Sequence, residues 1–228
     1  MSEWWTYTLS DLLMFSAQTY YRLFELYNRE IWPAQIVAIG LGIVALLCLR
    51  RAGAREGRIV AAILAACWLW VAWAFQIERY ATINWAARYF ALGFAIEALL
   101  LIWIGVIRGQ LLFWQSAKGI RVAGFYLFLF ALAVQPLIGP AIGRPWLQAE
   151  IFGIAPDPTV IATLAILLPV SGRMRWLLLC IPVIWCAISG ATLWAMGSPS
   201  ALLMPLIALL VLLLAAGHAL ACSAARIR

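Results

Sequence analysis

The sequence predicts an all-α protein, a polytopic transmembrane helix bundle of about seven spans with its N-terminus outside and its C-terminus inside. Hydrophobic residues make up 66% of the 228-residue chain and charged residues 11%, whereas a soluble domain has about 45–50% and about 25%. The mean hydropathy is +0.98. The apolar residues form long runs with arginines between them. This composition excludes a soluble globular enzyme, a disordered chain and a secreted disulfide scaffold.

Residues 1–30 are predicted to form an outer interfacial amphipathic segment, and residues 31–228 the seven-helix transmembrane domain. In the first segment, apolar side chains recur at helical spacing and charged ones occupy the other face. The apolar positions are Tyr20, Leu23, Phe24, Tyr27 and Ile31, and the charged ones are Arg22, Glu25 and Arg29. Glu25 precedes Arg29 by one helical turn, which favours an ion pair. We expect Trp4, Trp5 and Trp32 at the outer headgroup level.

Seven apolar runs follow, each bounded by charged residues or by glycine and proline. About 20 apolar residues cross a hydrocarbon core of roughly 30 Å. The runs are Ile31–Leu49, Ile59–Ile77, Tyr89–Ile107, Val122–Ile138, Thr159–Ser171, Trp176–Met196 and Ala201–Cys222. The fifth run is short for a span, so we expect it to extend into its flanks or to lie where the bilayer is thinner. A re-entrant fifth segment would contradict the charge pattern of the loops.

The loops sort by charge. If Arg50–Arg58 is cytoplasmic, the cytoplasmic segments hold 11 of the 16 basic residues and the opposite side holds five. Because cytoplasmic loops are enriched in lysine and arginine, this predicts an outer N-terminus and an inner C-terminus. We therefore predict a multi-pass protein of the bacterial cytoplasmic (inner) membrane, with the lipid bilayer as its first partner.

Several chemistries receive no support from the sequence. The net charge is +7, but no basic run is interleaved with aromatic residues, so nucleic-acid binding is not predicted. The cysteines lie within or at the end of apolar runs without a CxxC pair, and the chain has one histidine. We therefore expect buried thiols and no metal site. The P-loop, GxGxxG, HExxH and nucleophile-elbow motifs are absent, so we predict no catalytic residue and no cofactor.

Two ionisable residues lie deep in the predicted spans, where a charge costs about 2.5–3.5 kcal/mol. Glu97 is near the middle of the third span, with Gly93 one turn away on the same face, so this face is expected to look into the bundle. Glu97 is either a proton- or substrate-responsive acid or a protonated packing residue. His218, towards the cytoplasmic end of the last span, is either a hydrogen-bonded interface residue or a ligand or proton-relay group.

Three amides occupy the outer third of spans one, two and four: Gln35, Gln76 and Gln135. Pro136 follows Gln135 and removes one helical hydrogen bond, so the fourth span is expected to kink there. Together with Glu97, the amides predict a polar pocket that opens outward and accepts a small ligand. The alternative is that they are polar contacts between helices, without a ligand.

The second and third outer loops provide further candidate residues. The second contains Glu78, Arg79, Asn84, Trp85 and Arg88, and the third contains Trp146 and Glu150. Either loop could cover the pocket, or its aromatic residues could simply lie in the headgroup layer. Asp157, followed by Pro158, is expected to cap the helix of the fifth run.

Several stretches are distinctive: MSEWWTYTLSDLLMF, TYYRLFELYN with WPAQ, RYATINWAARYF, GRPWLQAEIFGIAPDPT and ISGATLWAM. Over nearly the whole chain, the sequence resembles a family of bacterial polytopic membrane proteins catalogued as a domain of unknown function. The resemblance implies a multi-span membrane protein and carries over no activity.

We interpret the chain as a transporter-like or ligand-binding bundle whose small-molecule ligand enters the outward-facing pocket. The alternative is a structural or assembly subunit of a larger membrane complex, in which a homo-oligomer or another membrane protein would be the partner. An intramembrane enzyme is the least supported class, because the chain has one histidine and no clustered carboxylates in its spans.

Overall fold

A computed structural model describes residues 15–51, 53–113 and 116–227, and every regular element within these ranges is helical. Trp4 and Trp5 lie outside the described residues. The α-helices are α1 (Ala17–Glu30), α2 (Ala34–Arg51), α3 (Ala54–Trp70), α4 (Ala87–Leu100), α5 (Lys118–Leu129), α6 (Gln135–Ala141), α7 (Pro156–Leu167), α8 (Arg173–Ala195) and α9 (Leu203–Ile227). Short 3₁₀ turns occupy Tyr80–Thr82 and Trp146–Gln148.

Six helices are long and apolar enough to cross a membrane, which makes this a multi-pass membrane protein. They are Ala34–Arg51, Ala54–Thr82, Ala87–Ile107, Lys118–Ala141, Arg173–Ala195 and Leu203–Leu220. Each coincides with one of the predicted runs to within a few residues. The fifth predicted run corresponds to α7, whose 12 residues extend over only about 18 Å.

Helix α7 forms the centre of the bundle. All of its residues are buried, and it packs against α3, α5, α8 and α9. It runs antiparallel to α5 at very close range, since a Cβ at Gly124 would lie 2.6 Å from the carbonyl oxygen of Ala165. A helix that is buried on all sides and mostly apolar is typical of a protein core. The fifth run was therefore a weak span signal because it is a short core helix.

Three of the long helices contain a π-helical segment: Val71–Ile77 after α3, Leu101–Ile107 after α4 and Phe130–Val134 between α5 and α6. The third precedes Gln135 and Pro136 directly. Because proline has no N–H group and clashes with the preceding turn, a wider turn accommodates it without ending the helix. A π-helical segment therefore lies directly before Gln135 and Pro136, and the kink itself stays a prediction.

Helix α1 packs on the bundle. Ser16 caps it, with its Oγ accepting a hydrogen bond from the Thr19 backbone N–H at 3.2 Å. The ring centroids of Phe24 and Phe75 are 4.9 Å apart, and Tyr27 Oη donates to the Ile154 carbonyl at 3.0 Å. The predicted amphipathic helix is thus anchored to the π-helical segment after α3 and to the segment before α7. We call this side of the molecule the α1 end.

The thiols differ in burial. Cys48, Cys67 and Cys186 are buried, as predicted, but Cys180 is exposed. The expectation of a buried thiol is wrong for Cys180 because this residue lies on the outward face of α8, where its Sγ donates to the carbonyl oxygen of Trp176 at 3.2 Å. The side chain of Cys222 lies outside the described residues.

Candidate functional site

A cavity of about 820 Å³ lies between α1 and the residues that follow the second spanning helix. We call it the α1 cleft. Five of its lining side chains are ionisable: Arg22, Glu25, Glu30, Glu78 and Arg79. Arg79 forms an ion pair with Glu30 across the cleft, and Glu25 pairs with Arg22 at 2.7 Å and with Arg29 at 2.9 Å. The predicted Glu25–Arg29 pair is therefore present.

Beneath the cleft, polar side chains from four segments meet inside the bundle. We call this group the buried polar cluster. It consists of Gln135 from α6, Arg144 and Glu150 from the loop before α7, Asp157 from α7, and Trp185 and Ser189 from α8. Glu150 and Asp157 are 9% and 4% exposed. Two carboxyl groups and one guanidinium thus share one largely water-excluded site.

Asp157 is held by α8. Trp185 Nε1 donates to Asp157 Oδ1 at 2.8 Å, and Ser189 Oγ donates to Oδ2 at 2.7 Å. The prediction that Asp157 caps its own helix is wrong, because the N-cap residue is Ala155 and both carboxylate oxygens turn sideways to the donors on α8. Hydrogen bonds to a carboxylate favour its ionised form.

Glu150 has weaker partners. Arg144 Nη1 lies 3.6 Å from Glu150 Oε1, which is an ion pair beyond hydrogen-bonding distance. Burial and the neighbouring Asp157 carboxylate raise the pKa of Glu150 to about 7, against the opposing effects of Arg144 and Gln135. Burial has this effect because desolvation disfavours the charged form of an acid. Glu150 can therefore exchange a proton near neutral pH.

The position of Arg144 depends on an aromatic ring and on a glycine. Its guanidinium carbon lies 4.2 Å from the centroid of the Tyr21 ring, within the range of a cation–π contact. A Cβ at Gly139 would lie 2.9 Å from Arg144 Nη2, so only glycine leaves room for this arrangement. The Arg144 backbone N–H closes the turn by donating to the Gly139 carbonyl at 3.0 Å.

The loop before α7 connects the cleft with the cluster. Asn28 Nδ2 donates to the carbonyls of Leu147 and Ala149, at 2.8 and 2.9 Å, and so holds both neighbours of Gln148 against α1. Gln148 lines the cleft, and its Nε2 lies 3.5 Å from Glu25 Oε2. Glu150 follows two residues later. A short, firmly bonded segment therefore joins the two sites.

In the structure, the four residues of the predicted pocket have different surroundings and do not form one site. Gln135 belongs to the buried polar cluster, and Gln35 Nε2 donates to the Asn28 carbonyl at 2.7 Å. Gln76 and Glu97 are fully buried, and their side chains form no hydrogen bond with any described residue. The α1 cleft has none of the four in its described lining. The amides also form no hydrogen bonds with one another in the described part of the chain.

His218 lies at the end of the molecule opposite α1. Its Nε2 is 3.2 Å from Ser116 Oγ and 3.3 Å from Ser171 Oγ. Ser116 Oγ also donates to the Pro169 carbonyl, which joins the start of α5 to the end of α7. His218 thus has the hydrogen-bonded interface position given as one of its two interpretations, and it lies far along the bundle from the α1 cleft.

The outer-loop candidates have different surroundings. Glu78 and Arg79 line the α1 cleft, and Glu150 belongs to the buried polar cluster. Asn84 Oδ1 accepts a hydrogen bond from the Ala86 backbone N–H at 3.0 Å, which is a local turn contact. The remaining three are on the surface: Trp85, Arg88 and Trp146.

The sequence reasoning missed the central members of the site, namely Arg144, Asp157, Trp185 and Ser189. One signal was available, because two acids and one arginine lie within 14 residues between apolar runs. The donors on α8 gave no comparable signal, since a tryptophan and a serine in an apolar helix are typical of packing. Among the residues that the structure describes, no group of three or more His, Cys, Asp or Glu residues could hold a metal ion.

A family model matches residues 17–226, and its description is a family of unknown function, DUF6064. The chain belongs to this family. The DUF6064 match begins at the first residue of α1 and ends within α9, so it includes both the α1 cleft and the buried polar cluster. The predicted resemblance to a domain of unknown function is thereby confirmed. No curated protein and no solved structure matches the chain.

Proposed function

We propose that this protein binds a small zwitterionic molecule in the α1 cleft, on the outer side of the bacterial cytoplasmic membrane, and transports it. The observation that carries the proposal is the cleft itself, about 820 Å³ in volume and lined by five ionisable side chains. This volume is within the range of about 300–1,000 Å³ that is typical of small-molecule sites.

The charges of the cleft favour a ligand with both signs. Arg22 and Arg79 provide cations, and Glu25, Glu30 and Glu78 provide carboxylates. The Arg79–Glu30 pair bridges the cleft. The carboxylate of a zwitterionic ligand could pair with Arg79 in place of Glu30, and its ammonium group could pair with Glu30 in place of Arg79. Exposed ion pairs contribute only about 0–1 kcal/mol, so breaking the Arg79–Glu30 pair to bind a ligand costs little free energy.

The proposed orientation places α1 outside and the C-terminus inside, as the arginine distribution favours. For this orientation α7 and the residues directly around it have to complete a crossing, although α7 alone is too short. The antiparallel packing of α7 on α5 supports this, and so does the contact between Ser116 and Pro169. We therefore propose seven crossings, the fifth made by α7 together with the residues that flank it.

Thermal stability tests the ligand class. The purified protein in lipid nanodiscs would be heated with a panel of amino acids and related zwitterions, and with matched compounds that lack either charge. We expect zwitterions alone to raise the unfolding temperature in a saturable manner, because ligands that bind the folded state stabilise it.

Two variants locate the site. Arg79→Gln removes the bridging cation and is expected to abolish the stabilisation, whereas Arg88→Gln removes an exposed arginine of the same loop and is expected to retain it. If no compound raises the unfolding temperature of the wild-type protein, or if Arg79→Gln responds like Arg88→Gln, the proposal is wrong. Uptake of a stabilising compound into proteoliposomes then tests transport separately from binding.

A further inference from the structure

We propose that Glu150 is a proton-binding site, which takes up and releases one proton at the α1 end while Asp157 remains ionised and Arg144 balances its charge. The proposal concerns a group outside the α1 cleft. It does not depend on whether the cleft binds a ligand.

The charge balance of the buried polar cluster requires one additional positive charge. Its ionisable members are Arg144, Glu150 and Asp157, which together carry one net negative charge when all three are ionised. Arg144 and Glu150 retain only 13% and 10% of their side-chain exposure, and Asp157 is 4% exposed. A buried uncompensated charge is costly, so such groups are neutralised by a proton or by a counter-ion.

The hydrogen bonds decide which carboxyl group takes the proton. Asp157 accepts one hydrogen bond on each oxygen, from Trp185 and Ser189, and these donors stabilise its ionised form. Glu150 has weaker donors, because Arg144 Nη1 is 3.6 Å from its Oε1 and the amide of Gln135 is the other group that stabilises its ionised form. Protonation of Glu150 therefore loses less stabilisation by hydrogen bonds than protonation of Asp157 does.

The unpartnered amide oxygen of Gln135 is a separate reason to place the proton on Glu150. Gln135 is 6% exposed, and its hydrogen bond to Glu150 favours the ionised acid, whereas its Oε1 has no hydrogen-bond partner among the described residues. A buried amide oxygen without a donor is unfavourable. A protonated Glu150 is a donor within this cluster, whereas an ionised Glu150 can only accept.

The other titratable groups that face the cluster cannot supply the missing charge. Tyr20 on α1 faces both acids, while Tyr80 in the 3₁₀ turn and Cys186 on α8 each face Asp157. Phenols and thiols are neutral in their protonated form and become negative on titration. Arg144 is thus the one cation that acts on these two carboxyl groups in the described part of the chain.

The proton can reach Glu150 from the α1 end. The Glu150 and Arg144 side chains are nearly but not fully enclosed, and the loop that carries them also lines the α1 cleft through Gln148. The pKa of Glu150, about 7, allows both protonation states to be populated near neutral pH.

Infrared titration tests the proposal directly, because a protonated carboxylic acid has a C=O stretching band that the carboxylate lacks. We expect one such band of the wild-type protein in nanodiscs to disappear as the pH rises, with the midpoint of this deprotonation near pH 7. Glu150→Gln should remove this titrating band. Glu56→Gln, a matched change in the first turn of α3 and outside both the cleft and the cluster, should leave it unchanged.

A second variant keeps the test decisive if Glu150→Gln does not fold. Arg144→Gln removes the balancing cation and is expected to move the midpoint to higher pH, by about one unit or more. The titration is run with sodium and with a bulky organic cation in its place. A wild-type protein without a band that titrates between about pH 5 and about pH 9 overturns the proposal. So does a band that titrates only without sodium, which would identify a metal-cation site instead.

Discussion

The indole Nε1 of Trp185 lies 2.8 Å from Oδ1 of Asp157, inside the bundle and in the first turn of α7. Ser189 follows Trp185 by four residues and donates to the other carboxylate oxygen. Residues four apart share one face of a helix, so α8 presents both donors together. This pair of hydrogen bonds fixes the first turn of α7, the helix at the centre of the bundle.

Ser189→Ala tests the importance of this contact for stability. The change leaves one oxygen of a buried carboxylate without its donor, and a hydrogen bond to a charged group contributes about 1.5–3 kcal/mol. We expect a lower unfolding temperature in detergent, measured by intrinsic tryptophan fluorescence. Thr82→Ala removes a hydroxyl from an exposed residue and should change the unfolding temperature much less. Equal effects of the two changes would show that the Asp157 contact contributes no special stability.

The stability of the protein should depend on pH through Glu150. Its pKa rises from 4.5 to about 7 on folding, so the folded state holds the proton more tightly than the unfolded chain does. This contribution is fully present below about pH 4.5 and is lost as the pH rises through about 7. With 1.36 kcal/mol per pKa unit, it amounts to about 3 kcal/mol.

The measurement is the unfolding temperature as a function of pH, for the wild-type protein and for Glu150→Gln. The glutamine resembles the neutral acid, so the variant should lack the decline that the wild-type protein shows between acidic and neutral pH. The Glu56→Gln variant should retain it. Parallel pH profiles of all three proteins would contradict the prediction.

Gly139→Ala should alter the titration of Glu150 without disrupting the fold. The new Cβ would lie 2.9 Å from Arg144 Nη2 and 3.0 Å from Cζ, and the flexible arginine can move away. With the cation displaced, the pKa of Glu150 should rise, so the midpoint of its infrared band should move to higher pH.

Gly40→Ala is the matched control for Gly139→Ala. Gly40 is also helical, and a Cβ there would have no described atom within 4 Å. Both changes replace a helical glycine, which stabilises a helix by roughly 0.5–1 kcal/mol, but only Gly139→Ala should move the Glu150 midpoint. An identical midpoint in the two variants would mean that Arg144 does not act on Glu150.

Cysteine labelling tests the proposed orientation. Trp146 is 70% exposed at the α1 end, and Arg55 is exposed next to the start of α3. In intact cells, a membrane-impermeant maleimide should label Trp146→Cys, whereas Arg55→Cys should react only after the membrane is permeabilised. The wild-type protein provides the background from its native thiols. Labelling of both variants from the same side would overturn the orientation and the outer position of the cleft.

The sequence predicted the helices well because their signals are local. Long apolar runs, the basic residues between them and the spacing of Tyr20, Leu23, Phe24 and Tyr27 each depend on neighbours in the chain. The Glu25–Arg29 pair belongs to the same category, since a single helical turn brings the two residues together. Only α7 was ambiguous, because a short apolar run can be a thin span or a core helix.

The site was predicted less well because it depends on contacts between distant segments. Burial of Glu97, Gln35, Gln76 and Gln135 follows from their places in apolar helices, but helix rotation and depth decide whether such residues meet. In the structure Gln135 meets Glu150 and Gln35 meets Asn28, while Gln76 and Glu97 lie apart from both. Asp157 was interpreted as a cap because its partners, Trp185 and Ser189, are about 30 residues further along.

By itself the sequence determined that this chain forms apolar helices long enough to cross a bilayer, since transfer of apolar side chains out of water is a property of each segment. Only the tertiary structure decided that α7 lies at the centre and that Arg144, Glu150 and Asp157 share one enclosed space. The physical reason is that the energies of buried charges depend on which groups surround them in three dimensions, and those neighbours come from α1, α6 and α8.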